Sequence, residues 1–201
     1  MASTVLYMSM SLDGFIAGPN DGPGNGLGDG GERLHDWVFP DAEGGDFAAA
    51  EARLTGVNRQ IYDEFMSTGA VVAGRGTFEP AQGWGGDHHE GVPIFILSRH
   101  GAPTWAAGWP NVRYTSDLAA AMSDAKAAAG EKDVLVHGAG IAQRALREGV
   151  LDEIEVHLVP ILMGAGRPLF EHLGTDQREL ERVRVLEGER GVVHLRYRVR
   201  R

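Results

Sequence analysis

The sequence contains no cysteine, which excludes a disulfide framework, a thiolate metal site and a thiol nucleophile. No apolar run approaches the roughly 20 residues that span a bilayer, and the first residues lack the basic start of a secretory signal. Acidic residues outnumber basic ones, and the formal charge is −9. Nonspecific binding to nucleic acid or to a membrane surface requires a basic field. We therefore expect a soluble, cytoplasmic protein with no nucleic-acid or membrane partner.

The composition favours one globular domain, which we expect to span residues 1–201. A chain of 201 residues with 43% apolar content can bury a sizeable core without disulfides or a structural metal. Its 29 glycines are concentrated in a few segments and form no repeat. The longest such segment, 13–45, is rich in Gly, Pro, Asn and Asp, a composition typical of turns and loops. A loop of this length inside a compact domain is commonly functional.

Hydrophobic periodicity predicts alternating strands and helices followed by an antiparallel tail. Apolar runs predict strands at Thr4–Met8, Ala70–Ala73, Val92–Leu97, Val112–Thr115 and Asp133–His137. Helical spacing predicts helices at Phe47–Leu54, Asn58–Ser67, Leu118–Ala128 and Ile141–Glu148. Charged and apolar residues alternate in half-exposed strands at 153–160, 179–187 and 192–200, and the last two form a hairpin. The predicted fold class is α/β: a mixed, mostly parallel sheet with flanking helices and an antiparallel C-terminal hairpin.

Two of the predicted strands end in residues that can bind an anion. Gly74, Arg75 and Thr77 follow the strand at 70–73. There the glycine allows close backbone approach, the arginine supplies a charged fork and the threonine can cap a helix. Ser98 and Arg99 follow the strand at 92–97 and place a hydroxyl beside a guanidinium. Alone, neither segment distinguishes a phosphate site from an ordinary polar strand end.

A third strand end carries the sequence Gly138-Ala139-Gly140, which separates the strand at 133–137 from a predicted helix. Strand, Gly-x-Gly and helix is the arrangement that places a pyrophosphate at a helix N-terminus. The third glycine and the acidic residue of the full dinucleotide fingerprint are missing, so this motif alone is weak. Ligands of open α/β sheets bind at the carboxyl ends of parallel strands. Three such ends with anion-binding residues therefore predict a bound dinucleotide.

Six short segments, in order along nearly the whole chain, resemble the RibD C-terminal-domain family. They are MSLDGFIA at 10–17, GRGTFE at 74–79, LSR at 97–99, GAG at 138–140, LDE at 151–153 and PILMGAG at 160–166. Members of that family are related to dihydrofolate reductase and to the pyrimidine reductase of riboflavin synthesis. The resemblance implies a dihydrofolate-reductase-like three-layer fold and an NADPH cofactor, and it leaves the substrate open.

The resemblance also implies which residues bind the cofactor. Its phosphates would contact Gly74, Arg75 and Thr77. The adenosine 2′-phosphate, which favours NADPH over NADH, would be held at Leu97, Ser98 and Arg99. The pyrophosphate and the nicotinamide ribose would be wrapped by Gly138, Ala139, Gly140 and Ile141. A loop from Ser11 to Ala17 would lie beside the nicotinamide ring.

Two departures from the family pattern bear on these roles. Relatives usually carry Gly-Gly at the pyrophosphate turn, often with a cis bond, whereas the second residue here is Ala139. A non-proline cis bond costs about 3 kcal/mol, so the bond between Gly138 and Ala139 is open to either form. True dihydrofolate reductases carry a carboxylate on the helix that leads into the Gly-Arg segment. The matching residue here is Asn58, which argues against folate as the substrate.

A few further residues are candidates for the reacting end of the site. Asp13 is a candidate proton relay, although Asp-Gly is also a common turn pair. Trp84 is a candidate for the substrate pocket because an aromatic face suits a flat heterocycle. A Gly-rich turn at Gly164 and Arg167 could bind a substrate phosphate or simply join two strands. We expect the Asp-His-His-Glu sequence at 87–90 to be a solvated loop, and we expect no metal.

The leading hypothesis is an NADPH-dependent reductase that transfers a hydride to a small heterocyclic or nucleotide-like substrate. The named candidate is 5-amino-6-(5-phosphoribosylamino)uracil. Two alternatives stay open: an NADP(H)-binding sensor or interaction module without turnover, and a nucleotide or sugar-phosphate binder that uses no nicotinamide. We also expect a homodimer, because small relatives commonly pair and the C-terminal strands offer an open edge.

Overall fold

The computed structural model describes residues 2–39, 47–175 and 177–200. Their strands are β1 (Thr4–Ser11), β2 (Phe15–Ala17), β3 (Ala70–Gly74), β4 (Ile94–Leu97), β5 (Val112–Thr115), β6 (Val134–His137), β7 (Glu153–Val159), β8 (Arg167–Pro168), β9 (Leu180–Glu187) and β10 (Val193–Val199). Their α-helices are α1 (Phe47–Glu51), α2 (Gly56–Met66), α3 (Arg75–Phe78), α4 (Leu118–Ala129) and α5 (Ala139–Glu148). Short 3-10 segments lie at Gly31–His35, Gln82–Gly86 and Glu189–Gly191.

Eight of the strands form one sheet in the order β5-β4-β3-β6-β1-β7-β10-β9. The first six run parallel to one another, and β10 pairs antiparallel with both β7 and β9. The remaining two strands, β2 and β8, pair separately. This topology confirms the predicted mixed, mostly parallel sheet with an antiparallel C-terminal hairpin.

Local sequence signals explain where the longer helices begin and end. The carboxylate of Asp117 accepts a hydrogen bond of 3.0 Å from the backbone N–H of Ala120 and so caps α4. The same helix stops at Gly130, whose φ of +65° is costly for a residue with a side chain. Helix α5 stops in the same way at Gly149, where φ is +68°. Each of these glycines directly follows the last residue of its helix.

Helices pack on both faces of the sheet and give it three layers. One face is covered by α4 and α5, whose apolar residues form one core with alternate residues of β1, β3 and β6. The other face is covered by α2, by the Phe78 end of α3 and by the loop that carries Trp109. A third cluster joins α2 to Leu34 and Trp37, so the segment before α1 belongs to the core up to its last described residues. Residues 40–45 of the predicted long loop lie outside the described residues.

The prediction of a half-exposed strand at 153–160 is wrong, because both faces of β7 are covered. Glu155 is 0% exposed, and its carboxylate lies 3.2 Å from the guanidinium of Arg184 on β9. Arg196 of β10 pairs with Glu153 at 2.6 Å. Burial raises the pKa of Glu155, and the two arginines oppose that effect. The alternating pattern therefore marks buried ion pairs rather than a solvated face.

Candidate functional site

The sheet places the three anion-binding strand ends side by side. Strand β3 lies between β4 and β6, with Gly74 paired to Leu97 and Ala73 paired to His137. Their carboxyl ends therefore meet at one edge of the sheet, next to the end of β1. Ligands of parallel sheets bind at such an edge.

An outer cavity of about 840 Å³ opens at this edge. It runs from the strand ends across to β2 and the segment 26–39, and its volume is within the usual range of cofactor sites. Five of the predicted site residues line it: Ala17, Thr77, Trp84, Gly138 and Arg167. Ile16, within the predicted loop from Ser11 to Ala17, and His137 at the end of β6 also line it. Sequence reasoning did not select four others: Met8, Glu32, His35 and Phe39.

A close backbone approach at Gly138 shapes the inner wall of the outer cavity. Gly138 has a φ of +104°, and a Cβ atom built on it would lie 2.1 Å from the hydroxyl oxygen of Thr77. Helix α5 starts at the next residue, Ala139, so its first N–H groups lie beside this contact. A backbone turn without a side chain at a helix N-terminus can hold a pyrophosphate. The peptide bond between Gly138 and Ala139 is trans.

Arg75 and Thr77 are placed differently from what the sequence suggests. Gly74 is the N-cap residue of α3 and Arg75 begins the helix, so Thr77 lies inside the helix and does not cap it. The guanidinium of Arg75 forms two hydrogen bonds with Glu79, of 2.7 and 2.9 Å. Arg75 does not line the outer cavity, and a phosphate that reached it would have to compete with Glu79.

Ser98 and Arg99 differ in how free their polar groups are. The hydroxyl of Ser98 donates to the carbonyl of His100 at 2.7 Å and accepts from its N–H at 3.0 Å. Both of these hydrogen bonds lie within a local turn, and Ser98 is 8% exposed. Arg99 is exposed and forms no hydrogen bond or ion pair with the part of the chain that the structure describes. Arg99 is consequently the cation of this strand end that is available to a ligand.

Asp13 connects the end of β1 with the loop after β7, and it does not line the outer cavity. Its carboxylate accepts hydrogen bonds from the Ser11 hydroxyl at 2.6 Å and from the backbone N–H groups of Gly164 at 2.7 Å and Met163 at 3.1 Å. These bonds, led by that from Ser11, lower the pKa of Asp13 to about 2. The group is ionised at neutral pH and holds the loop after β7 against the end of β1. The geometry therefore gives the predicted proton relay no support.

Arg167 faces the outer cavity but is paired. Its Nε donates to the carboxylate of Asp21 at 2.6 Å. The neighbouring Gly166 lies against β2, where a Cβ atom would meet the carbonyl oxygen of Ala17 at 2.0 Å. The predicted turn at 164–167 thus closes the cavity wall, with Arg167 in it and Gly164 outside it.

An inner chamber of about 300 Å³ adjoins the outer cavity and shares His35, Phe39, Trp84 and His137 with it. Trp84, which is predicted to line a substrate pocket, lies at the boundary of the two spaces. The rest of the chamber wall is mostly aromatic and imidazole: Tyr7, Ser9, Trp37, Val38, Tyr62, Phe65, Met66, His88 and His157. No Lys, Arg, Asp or Glu stands among the described residues of this wall.

The histidines of the chamber are uncharged at neutral pH. Burial lowers the pKa of His88 to about 2 and that of His137 to about 4. Burial and then the neighbouring His194 hold the pKa of His157 well below its ordinary value. Burial likewise lowers the pKa of His35. The chamber therefore offers hydrogen-bonding groups without offering charge.

The expectation of a solvated loop at 87–90 is wrong for its two histidines. His89 is 4% exposed, and its Nε2 lies 3.0 Å from the carbonyl oxygen of Thr68. His88 lines the inner chamber and packs its ring 4.5 Å from that of Trp84, centroid to centroid. Within the described ranges, no group of three or more His, Asp or Glu side chains is arranged to hold a metal ion. The adjacent histidines are thus part of the chamber.

Structural comparison finds this fold in several solved structures. A putative riboflavin biosynthesis protein from Shewanella sp. PV-4 matches with a TM-score of 0.73 and 20% identity over 99% of both chains. A pyrimidine reductase-like protein from Corynebacterium diphtheriae matches with a TM-score of 0.62 and 13% identity, over 100% of this chain and 92% of that one. RibD from Acinetobacter baumannii, of which this chain covers 59%, gives 0.61 and 16%. At such identities these likenesses concern the fold.

The chain belongs to the RibD C-terminal domain family, whose model matches residues 3–194. This confirms the resemblance that the six short segments indicate and makes a reductase of the riboflavin-synthesis type the class to which the chain is assigned. No protein of curated function matches the sequence significantly. Among the described residues no helix has both the length and the apolar character that crossing a membrane requires.

Proposed function

We propose that this protein is an NADPH-dependent reductase that transfers a hydride to a small heterocyclic or nucleotide-like substrate. The observation that carries the proposal is the pair of adjoining cavities. The outer one is long and bordered by glycine turns at parallel strand ends. The inner one is smaller, uncharged and aromatic. A dinucleotide followed by a flat ring is the ligand pair that fits this succession.

The cofactor would occupy the outer cavity. Its pyrophosphate would lie at the N-terminus of α5, on the turn formed by Gly138, Ala139, Gly140 and Ile141. The contact between Gly138 and Thr77 leaves backbone there and no side chain. Arg99 would contribute the charge that distinguishes a 2′-phosphate from a hydroxyl, with Leu97 and Ser98 shaping the strand end. Bound NADPH supplies the hydride, so this chain contributes position and solvent exclusion.

The substrate would lie in the inner chamber with a C=N or C=O bond turned toward the outer cavity. Trp84 and His137 border both spaces, so they would frame the reacting atoms. We propose water as the proton donor, since Asp13 is ionised and lies outside both cavities. The family makes 5-amino-6-(5-phosphoribosylamino)uracil a first candidate to assay.

The decisive assay follows the absorbance of reduced nicotinamide with NADPH and candidate oxidised heterocycles. Substrate-dependent loss of absorbance is the expected result. Binding of NADPH without consumption by any heterocycle would favour the sensor or interaction module instead. A thermal shift that is the same for NADPH and for other adenine nucleotides would favour the nucleotide binder.

We further propose a homodimer formed through the open edge of the sheet. Strand β9 is the last strand, and alternate residues Val183 and Val185 are 43% and 45% exposed. Exposed apolar side chains on an edge strand are unfavourable in a monomer and suit pairing with a second copy. Light scattering should give twice the chain mass, and Val185→Glu should shift the mass toward the monomer. A monomeric parent protein would exclude this assembly.

A further inference from the structure

Two pairs of hydrogen-bonded histidines form part of the wall of the inner chamber and the layer behind it. In the first, Nδ1 of His157 lies 2.9 Å from Nδ1 of His194. In the second, Nδ1 of His88 lies 2.7 Å from Nδ1 of His89. His157 and His88 line the chamber, while His194 and His89 are buried behind them at 0% and 4% exposure. In each pair one Nδ1 must donate and the other accept.

Asn58 determines which nitrogen donates in the hydrogen bond between His157 and His194. Its amide Nδ2 donates to the carbonyl of Trp37 at 2.9 Å, so its Oδ1 is the atom that lies 3.1 Å from Nε2 of His194. An amide oxygen only accepts, so Nε2 of His194 carries the proton. Burial and the positive charge of Arg184 lower the pKa of His194 to about 4. The ring is therefore neutral, its Nδ1 accepts, and Nδ1 of His157 donates.

Thr68 determines in the same way which nitrogen donates in the hydrogen bond between His88 and His89. Nε2 of His89 lies 3.0 Å from the carbonyl oxygen of Thr68 and 3.1 Å from its hydroxyl oxygen. That hydroxyl gives its own proton to the carbonyl of Phe65 at 2.9 Å. Both partners of His89 Nε2 are thus acceptors, so the tautomer that fits this geometry carries its proton on Nε2, and its Nδ1 accepts. Nδ1 of His88 must then donate.

The outcome is the same for His157 and His88, two of the four histidines that line the chamber. Each is neutral, each uses its single N–H behind the wall, and each is left with a lone pair on Nε2. Neither His157 nor His88 forms a second hydrogen bond within the described ranges. An imidazole nitrogen held in this state can accept a hydrogen bond and cannot donate one. These two nitrogens therefore favour a partner that carries N–H or O–H groups.

Size and charge narrow the partner further. A cavity of roughly 150 Å³ accepts one six-membered ring, so about 300 Å³ suits one ring or two fused rings. The aromatic side chains Trp37, Phe65 and Trp84 favour a flat ligand. A phosphate in a chamber without a cation would lack a partner for its charge.

We propose that the inner chamber binds an uncharged, flat heterocycle of one or two rings whose N–H groups donate to Nε2 of His157 and His88. This assignment rests on the proposed reductase function and names its substrate class. Lactams and cyclic ureas have the required N–H groups. The phosphoribosyl group of a nucleotide-like substrate has no place in this chamber. His157 and His88 are specificity-determining residues, and His194 and Asn58 are positioning residues that act through His157.

The test compares two probes by calorimetry with and without saturating NADP⁺: pteridine-2,4-dione, which has two ring N–H groups, and its N1,N3-dimethyl derivative, which has neither. The parent protein should bind the first at least tenfold more tightly, the worth of one neutral hydrogen bond. His157→Phe should reduce that ratio about tenfold. His194→Phe, which lets His157 adopt either tautomer, should reduce it two- to threefold. His172→Phe, at an exposed site, is the control and should leave it unchanged.

Equal affinity for the two probes in the parent, or a ratio unchanged in both His157→Phe and His194→Phe, would overturn the proposal. A variant that fails to fold would lose affinity for both probes. In that case the other of the two variants provides the test. If NADP⁺ fails to bind while the probe ratio behaves as expected, the reductase assignment fails and the chamber assignment stands.

Discussion

The outer cavity and the inner chamber are built by different means. The outer cavity lies against backbone: the glycine turn at Gly138, the start of α5 and the ends of adjacent strands. The inner chamber uses side chains from β1, α2, β6, β7 and the segments 35–39 and 84–88, and it contains no Lys, Arg, Asp or Glu among its described residues. The difference corresponds to the two ligands proposed, because an anion needs donors of fixed position whereas a neutral ring needs shape and matched hydrogen bonds.

The most damaging single change to the outer cavity should be Gly138→Ala. The residue has a φ of +104°, and the new Cβ atom would lie 2.1 Å from Thr77 Oγ1, so the turn must shift. We expect a loss of NADPH affinity of about 100-fold by fluorescence titration, with probe binding in the inner chamber retained. Gly149→Ala, at the other end of α5, is the matched control, since its φ is also positive (+68°) and nothing lies within 4 Å of its Cβ position. Equal effects of the two substitutions would mean that the turn at Gly138 does not hold the cofactor.

The next largest effect should come from Arg99→Ala. Charged hydrogen bonds are worth about 1.5–3 kcal/mol, so the preference for NADPH over NADH should fall by about 10- to 100-fold. Affinity for NADH should change little, because NADH lacks the 2′-phosphate. Arg59→Ala, on the exposed side of α2, should preserve the preference and serves as the control. A preference that survives in Arg99→Ala would assign the 2′-phosphate to another cation.

The neutral histidines make the chamber side of the molecule sensitive to acid. The pKa of His137 is lowered by burial to about 4, whereas in the unfolded chain it is about 6.5. As the pH falls from about 6.5 toward 4, the unfolded chain binds a proton that the folded ring does not, so the free energy of unfolding decreases. At pH 5 this loss is roughly 2 kcal/mol for one such ring.

Urea unfolding at pH 7 and pH 5 measures this effect. His137→Asn should shrink the difference between the two pH values by roughly 2 kcal/mol. His172→Asn, at an exposed position, should leave the difference as it is in the parent. A parent protein equally stable at both pH values would show that the buried rings are not held neutral.

The smallest effect should come from the competition between Glu79 and the cofactor for Arg75. Glu79→Gln removes the charge that holds the guanidinium and should raise NADPH affinity two- to fivefold, since exposed ion pairs of this kind are worth about 0.3–0.5 kcal/mol and a repelling carboxylate is also lost. Glu148→Gln breaks an equivalent pair with Arg144 on α5 and is the control. Unchanged or weaker NADPH binding in Glu79→Gln would remove Arg75 from the site.

The outer cavity could be anticipated from the sequence because its signals are local. Gly138 lies between a strand and a helix, and Arg75 and Arg99 each come just after an apolar strand. Hydrophobic periodicity and the residues that end each strand are therefore enough to identify these positions. What local signals could not show is which groups are already occupied. Glu79 is four residues from Arg75 and visible in the sequence, but its two hydrogen bonds to that arginine appear only in the structure.

The inner chamber could not be anticipated, because its chemistry depends on contacts between distant residues. Asn58 and His194 are 136 positions apart, and His157 stands in a strand whose alternation resembles a solvated face. The sequence analysis noted Asn58 only as a missing carboxylate. In the structure the same residue fixes the proton on His194, which is a role that no spacing rule describes.

A crystal structure grown with NADP⁺ would show directly whether the outer cavity binds the dinucleotide. We expect density along the outer cavity, with the pyrophosphate on the turn at Gly138, the 2′-phosphate near Arg99 and the nicotinamide ring beside Trp84 at the mouth of the inner chamber. Density for the dinucleotide at any other surface, or a well-ordered outer cavity that stays free of it at saturating NADP⁺, would contradict the account.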